Sequence, residues 1–197
     1  MSDFSLTEGS KYVDLAGYDW AAPAINGLTA MGVVNGDVDP STGKWYYFPG
    51  DNVTRAEFAK MVVEAIGSDI KAANPNEVEF VDVDTTAWYA PYIYAAYANG
   101  LVNGTSDITF EPEANITREE MAVMVSRAIG LPTETDGAAS YGVIYADNAS
   151  ISDWAYGDIV NITKNGIMQG DQNNCFNPQN FADRAEAAQV IYNFLTK

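Results

Sequence analysis

The 197-residue sequence contains no histidine, a single cysteine, and only ten lysine and arginine residues. Without imidazole, Ser-His and Cys-His catalytic pairs and histidine metal ligands are excluded. Cys175 has no partner for an intramolecular disulfide, and we expect it to be buried and unreactive. Ten cations against 27 acidic residues give a formal net charge of −17, which excludes a broad positive face for nucleic acid or an anionic membrane.

Long apolar runs are also lacking. The uncharged stretch 85–106 contains Pro91, Gly100 and Gly104, which favour an amphipathic helix ending in a loop over a membrane span, so we expect no membrane insertion. Residues 1–9 lack the basic and apolar regions of a signal peptide, so we expect either a cytosolic chain or one whose leader is absent. The 47% hydrophobic content nevertheless predicts a folded protein.

The sequence repeats three times. In each copy an aromatic-x-Asp triplet precedes a Trp, and Gly residues follow the Trp 12 and 16 positions later. An aromatic-x-Pro triplet comes next, and an Arg lies eight residues after its aromatic residue. The recurring residues are Trp20, Trp88 and Trp154; Asp14, Asp82 and Asp147; Gly32, Gly100 and Gly166; Gly36, Gly104 and Gly170; and Arg55, Arg118 and Arg184. We predict three repeats, at 1–67, 68–130 and 131–197, which pack together because each is too small to bury its own core well.

Each repeat is predicted to form a helix, a loop and a second helix, so the fold is expected to be mainly α. Apolar residues 5 and 8 positions after each Trp share one helical face, and the first Gly suits the left-handed end of a helix. The second helix begins at the Arg. There, Thr54, Thr117 and Asp183 each stand three residues before a Glu, the spacing of a capping box.

An Arg at the first position of a helix faces the positive end of the helix dipole, which is unfavourable by a few tenths of a kcal/mol. Two explanations stay open from the residues alone. Free helix amides and a guanidinium together form a site for a carboxylate or phosphate, or each Arg pairs with the Asp of its own repeat. The Glu of the capping box is expected to be structural, and composition favours the three Trp residues as core rather than as sugar-stacking rings.

The motifs Phe80-Val-Asp-Val, Gly100-Leu-Val-Asn-Gly104 and Ile116-Thr-Arg-Glu-Glu120 resemble an S-layer homology domain, and the other two repeats match the same outline. The resemblance implies a three-pronged, pseudo-threefold helical bundle that anchors surface proteins to bacterial walls. It implies binding of a secondary cell wall polysaccharide bearing pyruvylated N-acetylmannosamine, or of modified peptidoglycan, in grooves between repeats. The implied ligand-binding residues are Arg55, Arg118 and Arg184, with Asn35, Gly36, Asn103, Gly104, Gln169, Gly170, the three Trp and the three Asp named above.

Two departures from the pattern stand out. In the third repeat Asp183 replaces the usual Thr and adds a carboxylate beside the predicted anion site. The first repeat has a longer loop in which Asp37, Asp39 and Ser41 alternate as in a calcium loop. Thr42 stands where such a loop needs Gly, so we expect a plain turn. No metal and no cofactor are expected.

The residues also allow two function classes other than carbohydrate anchoring. The repeats could form a structural module that self-associates or docks proteins of a surface layer. Glycoside hydrolysis by paired carboxylates is chemically possible, but no pair stands out, and the repeat explains the Glu residues without catalysis. We therefore expect a non-enzymatic anchoring module at the bacterial cell surface, belonging to a larger surface protein or complex.

Overall fold

The computed structural model describes residues 9–68, 80–130 and 145–197. These ranges contain six α-helices: α1 Ala22–Met31, α2 Arg55–Ala65, α3 Ala90–Ala98, α4 Arg118–Ile129, α5 Asp153–Lys164 and α6 Arg184–Thr196. A short hairpin of β1 Asp37–Val38 and β2 Trp45–Tyr46 lies between α1 and α2. The mainly helical helix-loop-helix prediction is confirmed. The N-terminal residues 1–8 and the segments 69–79 and 131–144 between the repeat motifs lie outside the described residues.

The first helix of each repeat begins within two residues of its Trp. Pro23 and Pro91 lie in the first turns of α1 and α3, where no backbone N–H is required. Each helix ends beside a glycine with positive φ, at Gly32, Gly100 and Gly166. Because this conformation is strained for residues with a Cβ, the glycines end the helices as predicted.

The second helix of each repeat begins at its Arg with a complete capping box. Thr54, Thr117 and Asp183 each accept a hydrogen bond from the Glu three residues later, whose carboxylate accepts one from the amide of the cap. These local contacts fix the position of the Arg at the first helical residue, as the sequence predicts.

The segments that precede the three second helices meet at the centre of the molecule. The Val53 amide donates to the Ala182 carbonyl, Ala182 donates to Ile116, and Ile116 donates back to Val53, at 2.9 to 3.0 Å. All three residues are buried. This closed ring of hydrogen bonds gives the molecule pseudo-threefold symmetry.

Each first helix packs against the second helix of the preceding repeat. The pairs are α3 with α2, α5 with α4, and α1 with α6, while α2, α4 and α6 contact one another at the centre. We call each pair a prong. The buried side chains of all three repeats form one hydrophobic core. The three repeats therefore fold as one interlocked body, and the boundaries at 67 and 130 stay predictions.

Two smaller expectations have different outcomes. The Asp37–Ser41 segment is part of a hairpin turn in which the Asp39 carboxylate accepts hydrogen bonds from Ser41 and Thr42, so the predicted turn is confirmed. Cys175 is partly exposed rather than buried, because it lies in the surface loop before α6. In the described ranges, no helix combines the length and the apolar character needed to cross a membrane.

Candidate functional site

The Arg that begins each second helix is held by the loop of the next repeat. The Arg55 Nε donates to the Phe110 carbonyl at 2.9 Å, and its guanidinium carbon lies 4.8 Å from the centre of the Phe110 ring. The same pair of contacts joins Arg118 to Phe176 and Arg184 to Tyr47. The aromatic-x-Pro triplet is therefore a platform that orients the Arg of its neighbour.

Each Arg also faces the capping-box Glu of the next repeat. The Nη1 to Oε1 distance is 2.6 Å for Arg55 and Glu120, 2.7 Å for Arg118 and Glu186, and 3.8 Å for Arg184 and Glu57. The exposed fraction of the Arg side chain rises in the same order, through 6%, 13% and 23%. The ion pair between Arg184 and Glu57 is therefore the loosest of the three.

The Asp of the aromatic-x-Asp triplet does not pair with Arg, so the own-repeat ion pair considered from the sequence is wrong. Asp82 accepts hydrogen bonds from the amides of Phe110 and Glu111 at 2.7 to 3.2 Å, and Asp14 and Asp147 do the same in their repeats. Glu111 has φ of +58°, an uncommon conformation for a residue with a side chain. The Asp thus stabilises the strained loop that carries the aromatic platform.

The expectation that free helix amides bind an anion is also wrong. The first two amides of each second helix donate to carbonyls of a neighbouring repeat, as Arg55 does to Ala114 and Ala56 to Pro112. The third amide donates to the capping side chain. Because these donors are already used, any anion at this site must bind side chains, chiefly the guanidinium.

A surface groove opens beside each of the three Arg residues. The Arg55 groove has a volume of about 460 Å³, the Arg184 groove about 230 Å³ and the Arg118 groove about 240 Å³. In the first two, one repeat supplies the Arg, the next supplies the loop and second helix, and the remaining one supplies a Trp. The Arg55 groove, for example, is lined by Arg55, Asn103 and Trp154.

The three Trp residues, which recur at the same place in each repeat, are not buried. Trp20, Trp88 and Trp154 are 53%, 54% and 56% exposed, so the core role favoured by composition is wrong. Trp20 and Trp88 lie two residues before α1 and α3, and Trp154 is the second residue of α5. Trp154 lines the Arg55 groove and Trp88 the Arg184 groove, whereas Trp20 is not among the residues that line the Arg118 groove.

The loop residues that follow the first helices contribute mainly backbone. The carbonyl oxygens of Asn35 and Gln169 accept hydrogen bonds from Nη2 of Arg184 and Arg118, at 3.0 and 3.2 Å. A Cβ at Gly104 would overlap the carbonyl oxygens of Ser106 and Thr109, and Gly36 and Gly170 are similarly crowded. Glycine is required there because the loop folds tightly onto itself.

Two groove cations were not predicted from the sequence. Arg127 on α4 lines the Arg55 groove, and Lys60 on α2 lines the Arg184 groove. Arg127 lies seven residues after Glu120 and Lys60 three residues after Glu57, spacings that place each cation on the same helical face as the Glu. The signal was present, but neither cation recurs in the other repeats.

Two carboxylates shape the charge of this region. In the Arg118 groove, the Asp171 carboxylate accepts hydrogen bonds from the Cys175 amide at 3.0 Å and from the Asn177 side chain at 3.1 Å. These hydrogen bonds lower the pKa of Asp171, so its carboxylate stays ionised at neutral pH. Asp183 caps α6, and there burial raises the pKa of the carboxyl above its ordinary value.

Comparison with known proteins is consistent with this geometry. The S-layer homology domain profile matches residues 11–59, 79–122 and 144–188. The chain is 38% identical over 183 residues to Exoglucanase XynX of Acetivibrio thermocellus, which covers 91% of this chain and 16% of that protein. It is 30% identical over 184 residues to an S-layer protein of Bacillus thuringiensis subsp. finitimus, covering 93% of this chain and 21% of that one.

A Cellulosome-anchoring protein of Acetivibrio thermocellus is 28% identical over 151 residues, 75% of this chain and 31% of that protein. The chain spans less than a fifth of the exoglucanase, and that match covers the S-layer homology region alone. The family and these relatives assign the chain to the bacterial cell surface as an anchoring module. With the profile matched at three tandem segments that cover most of its length, the chain belongs to the S-layer homology domain family.

Proposed function

We propose that this chain anchors a larger surface protein by binding a secondary cell wall polysaccharide that bears terminal pyruvylated N-acetylmannosamine. The observation that carries the proposal is the pairing of a guanidinium with an exposed Trp across one groove, as at Arg55 and Trp154. A pyruvyl ketal places one carboxylate on an otherwise neutral sugar. The groove offers a cation for the carboxylate and an aromatic face for the ring.

The guanidinium keeps hydrogen-bonding capacity for such a ligand. Arg55 uses Nε for the Phe110 carbonyl and Nη1 for Glu120, and among the described residues Nη2 has no acceptor. A hydrogen bond between this group and a ligand carboxylate contributes about 1.5 to 3 kcal/mol. Arg118 and Arg184 would play the same part in their grooves, because each Nη2 has two N–H donors and, among the described residues, uses only one of them, for a loop carbonyl.

The remaining predicted residues have supporting roles in this proposal. The Asp of each repeat positions the aromatic platform, and the loops that include Asn103, Gly104 and Gln169 form one wall. The module acts without catalysis. Occupation of two or three grooves by one polysaccharide would raise the avidity without new contacts, since later binding events become intramolecular.

Sedimentation with purified, protein-free cell wall sacculi tests the proposal. Wild-type protein is expected to sediment with intact sacculi. It is expected to stay in solution with sacculi whose polysaccharide has been extracted with hydrofluoric acid, or whose pyruvyl ketals have been cleaved by mild acid. Binding that survives extraction would identify peptidoglycan as the ligand and contradict the proposal.

The Arg residues are tested in the same assay with a charge-matched control. Arg184→Gln is the best first variant, because its ion pair is the loosest and its loss should disturb the fold least. Lys44→Gln removes the same charge from the exposed hairpin turn, outside the groove-lining residues. We expect Arg184→Gln to sediment with sacculi more weakly than wild type, and Lys44→Gln to sediment as wild type does. Concentration-dependent self-association without wall binding would favour the self-assembly alternative.

A further inference from the structure

We infer that the three grooves are unequal and that the Arg55 groove is the principal site, which accepts a glycan with a second oxyanion beyond the one held by Arg55. The charged lining residues differ between the grooves. Among the described lining residues, the Arg55 groove has two cations and one carboxylate, the Arg184 groove has two of each, and the Arg118 groove has one cation and two carboxylates. This inference rests on the proposed function and specifies its ligand.

The second cation of the Arg55 groove is Arg127. It lies on α4 two helical turns beyond Glu120, the partner of Arg55, and seven residues at 3.6 per turn return to nearly the same face. The rise of the helix places the backbone of Arg127 about 10 Å beyond that of Glu120 along the α4 axis. When the carboxylate of one sugar binds Arg55, Arg127 stays available to bind a group on a sugar farther along the glycan.

Arg127 forms no salt bridge with any residue in the ranges 9–68, 80–130 and 145–197. Its side chain is partly exposed, lines the groove, and forms no ion pair with a described carboxylate. An unpaired guanidinium beside a cavity in a protein of net charge −17 is a local positive centre that attracts an anion. Arg55, in contrast, is partly neutralised by Glu120.

The other grooves lack this arrangement. Lys60 in the Arg184 groove shares its cavity with Asp37 and Glu57, and its ammonium lies 5.9 Å from the centre of the Tyr92 ring. In the third repeat, Asn193 occupies the position of Arg127, nine residues after the motif Arg, and donates to the Ile167 carbonyl. The described part of the Arg118 groove therefore has no second cation, and Asp171 adds a negative charge.

Three extended probes test the second oxyanion. Each carries pyruvylated N-acetylmannosamine at one end, and the attached sugar is a neutral hexose, a uronic acid or a phosphohexose. Titration into ¹⁵N-labelled protein is followed at the indole N–H resonances of Trp154 and Trp88, which report the Arg55 and Arg184 grooves separately. Trp-to-Phe variants assign the four indole signals.

We expect both acidic probes to bind at Trp154 about tenfold more tightly than the neutral probe, the value of one added charge-assisted hydrogen bond. Arg127→Gln should remove that preference at Trp154 and leave the titration of Trp88 unchanged. Lys60→Gln is the matched control, which should alter Trp88 alone. A preference for only one acidic probe would identify carboxylate or phosphate as the second group.

The outcomes separate the inference from the function on which it rests. If all probes shift both indoles equally, or if Arg127→Gln keeps the acidic preference, the second oxyanion is overturned and pyruvyl binding stands. If no probe shifts either indole, binding of the pyruvylated sugar in the Arg55 and Arg184 grooves is overturned together with the inference. Unchanged thermal melting of Arg127→Gln would exclude unfolding as the cause of any loss.

Discussion

Arg55 and Glu120 lie 65 residues apart in the sequence, yet their side chains meet at 2.6 Å. Both residues lie in the first turn of a second helix, one in the first repeat and one in the second. The same Glu closes the capping box of its own helix through its other oxygen. One carboxylate therefore links local helix formation to the assembly of the repeats, and the pattern closes on itself around the pseudo-threefold axis.

The three capping-box Glu residues should differ in their contribution to stability. Glu120→Gln is expected to lower the free energy of unfolding most, by about 2 kcal/mol, because it leaves a buried Arg unpaired. All three substitutions weaken a capping box. Beyond that common effect, Glu57→Gln should lower the free energy of unfolding by less than about 1 kcal/mol, since the ion pair between Glu57 and Arg184 is long and exposed. Glu186→Gln should fall between. Urea unfolding of the three variants measures the order, and equal losses would show that capping alone matters.

Gly104→Ala should destabilise the protein by about 3 kcal/mol, because the added methyl group would overlap two loop carbonyl oxygens that the backbone must move to accommodate. Gly9→Ala is the control, since no atom of the described residues lies within 4 Å of a Cβ at that position. Thermal denaturation compares the two. A Gly104→Ala protein as stable as wild type would contradict the tight loop.

Asp183→Thr should stabilise the protein increasingly as the pH rises. Burial raises the native pKa of the Asp183 carboxyl above its ordinary value of 3.8, so the native state binds this proton more tightly than the unfolded state. The stability that this proton confers is present below pH 3.8 and is lost as the pH rises through the native pKa.

The advantage of Asp183→Thr over wild type should thus be larger at roughly pH 7 than at pH 3, measured by urea unfolding at both. Thr117→Asp places the same carboxylate at the equivalent cap of α4 and should show the opposite trend. If the difference in the free energy of unfolding between Asp183→Thr and wild type does not change with pH, burial does not raise the pKa of the Asp183 carboxyl.

Trp154→Ala should weaken wall binding several-fold while changing the free energy of unfolding by less than about 0.5 kcal/mol, because the ring is exposed and lines the Arg55 groove. Trp20→Ala is matched in exposure but lies outside the lining of the Arg118 groove, and it should bind nearly as wild type. Sedimentation with sacculi and thermal melting give the two readouts. Equal binding losses would show that Trp20 contacts the wall as Trp154 does.

Much of the fold was predictable because its signals are local. The capping boxes at Thr54 and Thr117 involve residues three positions apart, and the left-handed glycines lie directly at the helix ends. The apolar stripes depend on spacings of three and four residues. Such patterns are complete within one or two helical turns, so a single sequence contains them.

From the chemistry of the residues alone, only the central Arg of each candidate site was predicted, and the family resemblance added loop and Trp residues such as Asn103 and Trp154, which line the Arg55 groove. The sequence marked Arg55 and its two counterparts, but the helix amides beside them proved to be occupied by the neighbouring repeat. The Trp residues were expected in the core because an apolar residue at the start of an amphipathic helix usually lies there. Their exposure follows from the direction in which each first helix packs, which no local pattern specifies.

The order of three similar units, the start and end of each helix and the placement of an Arg at each second helix follow from the amino-acid sequence itself. The tertiary structure alone decided which copy each Arg meets. Three nearly identical motifs offer equivalent partners within a repeat and between repeats, and spacing along the chain does not distinguish them. Only the packing of each first helix on the preceding repeat brings Arg55 to Glu120 and Trp154 into one groove.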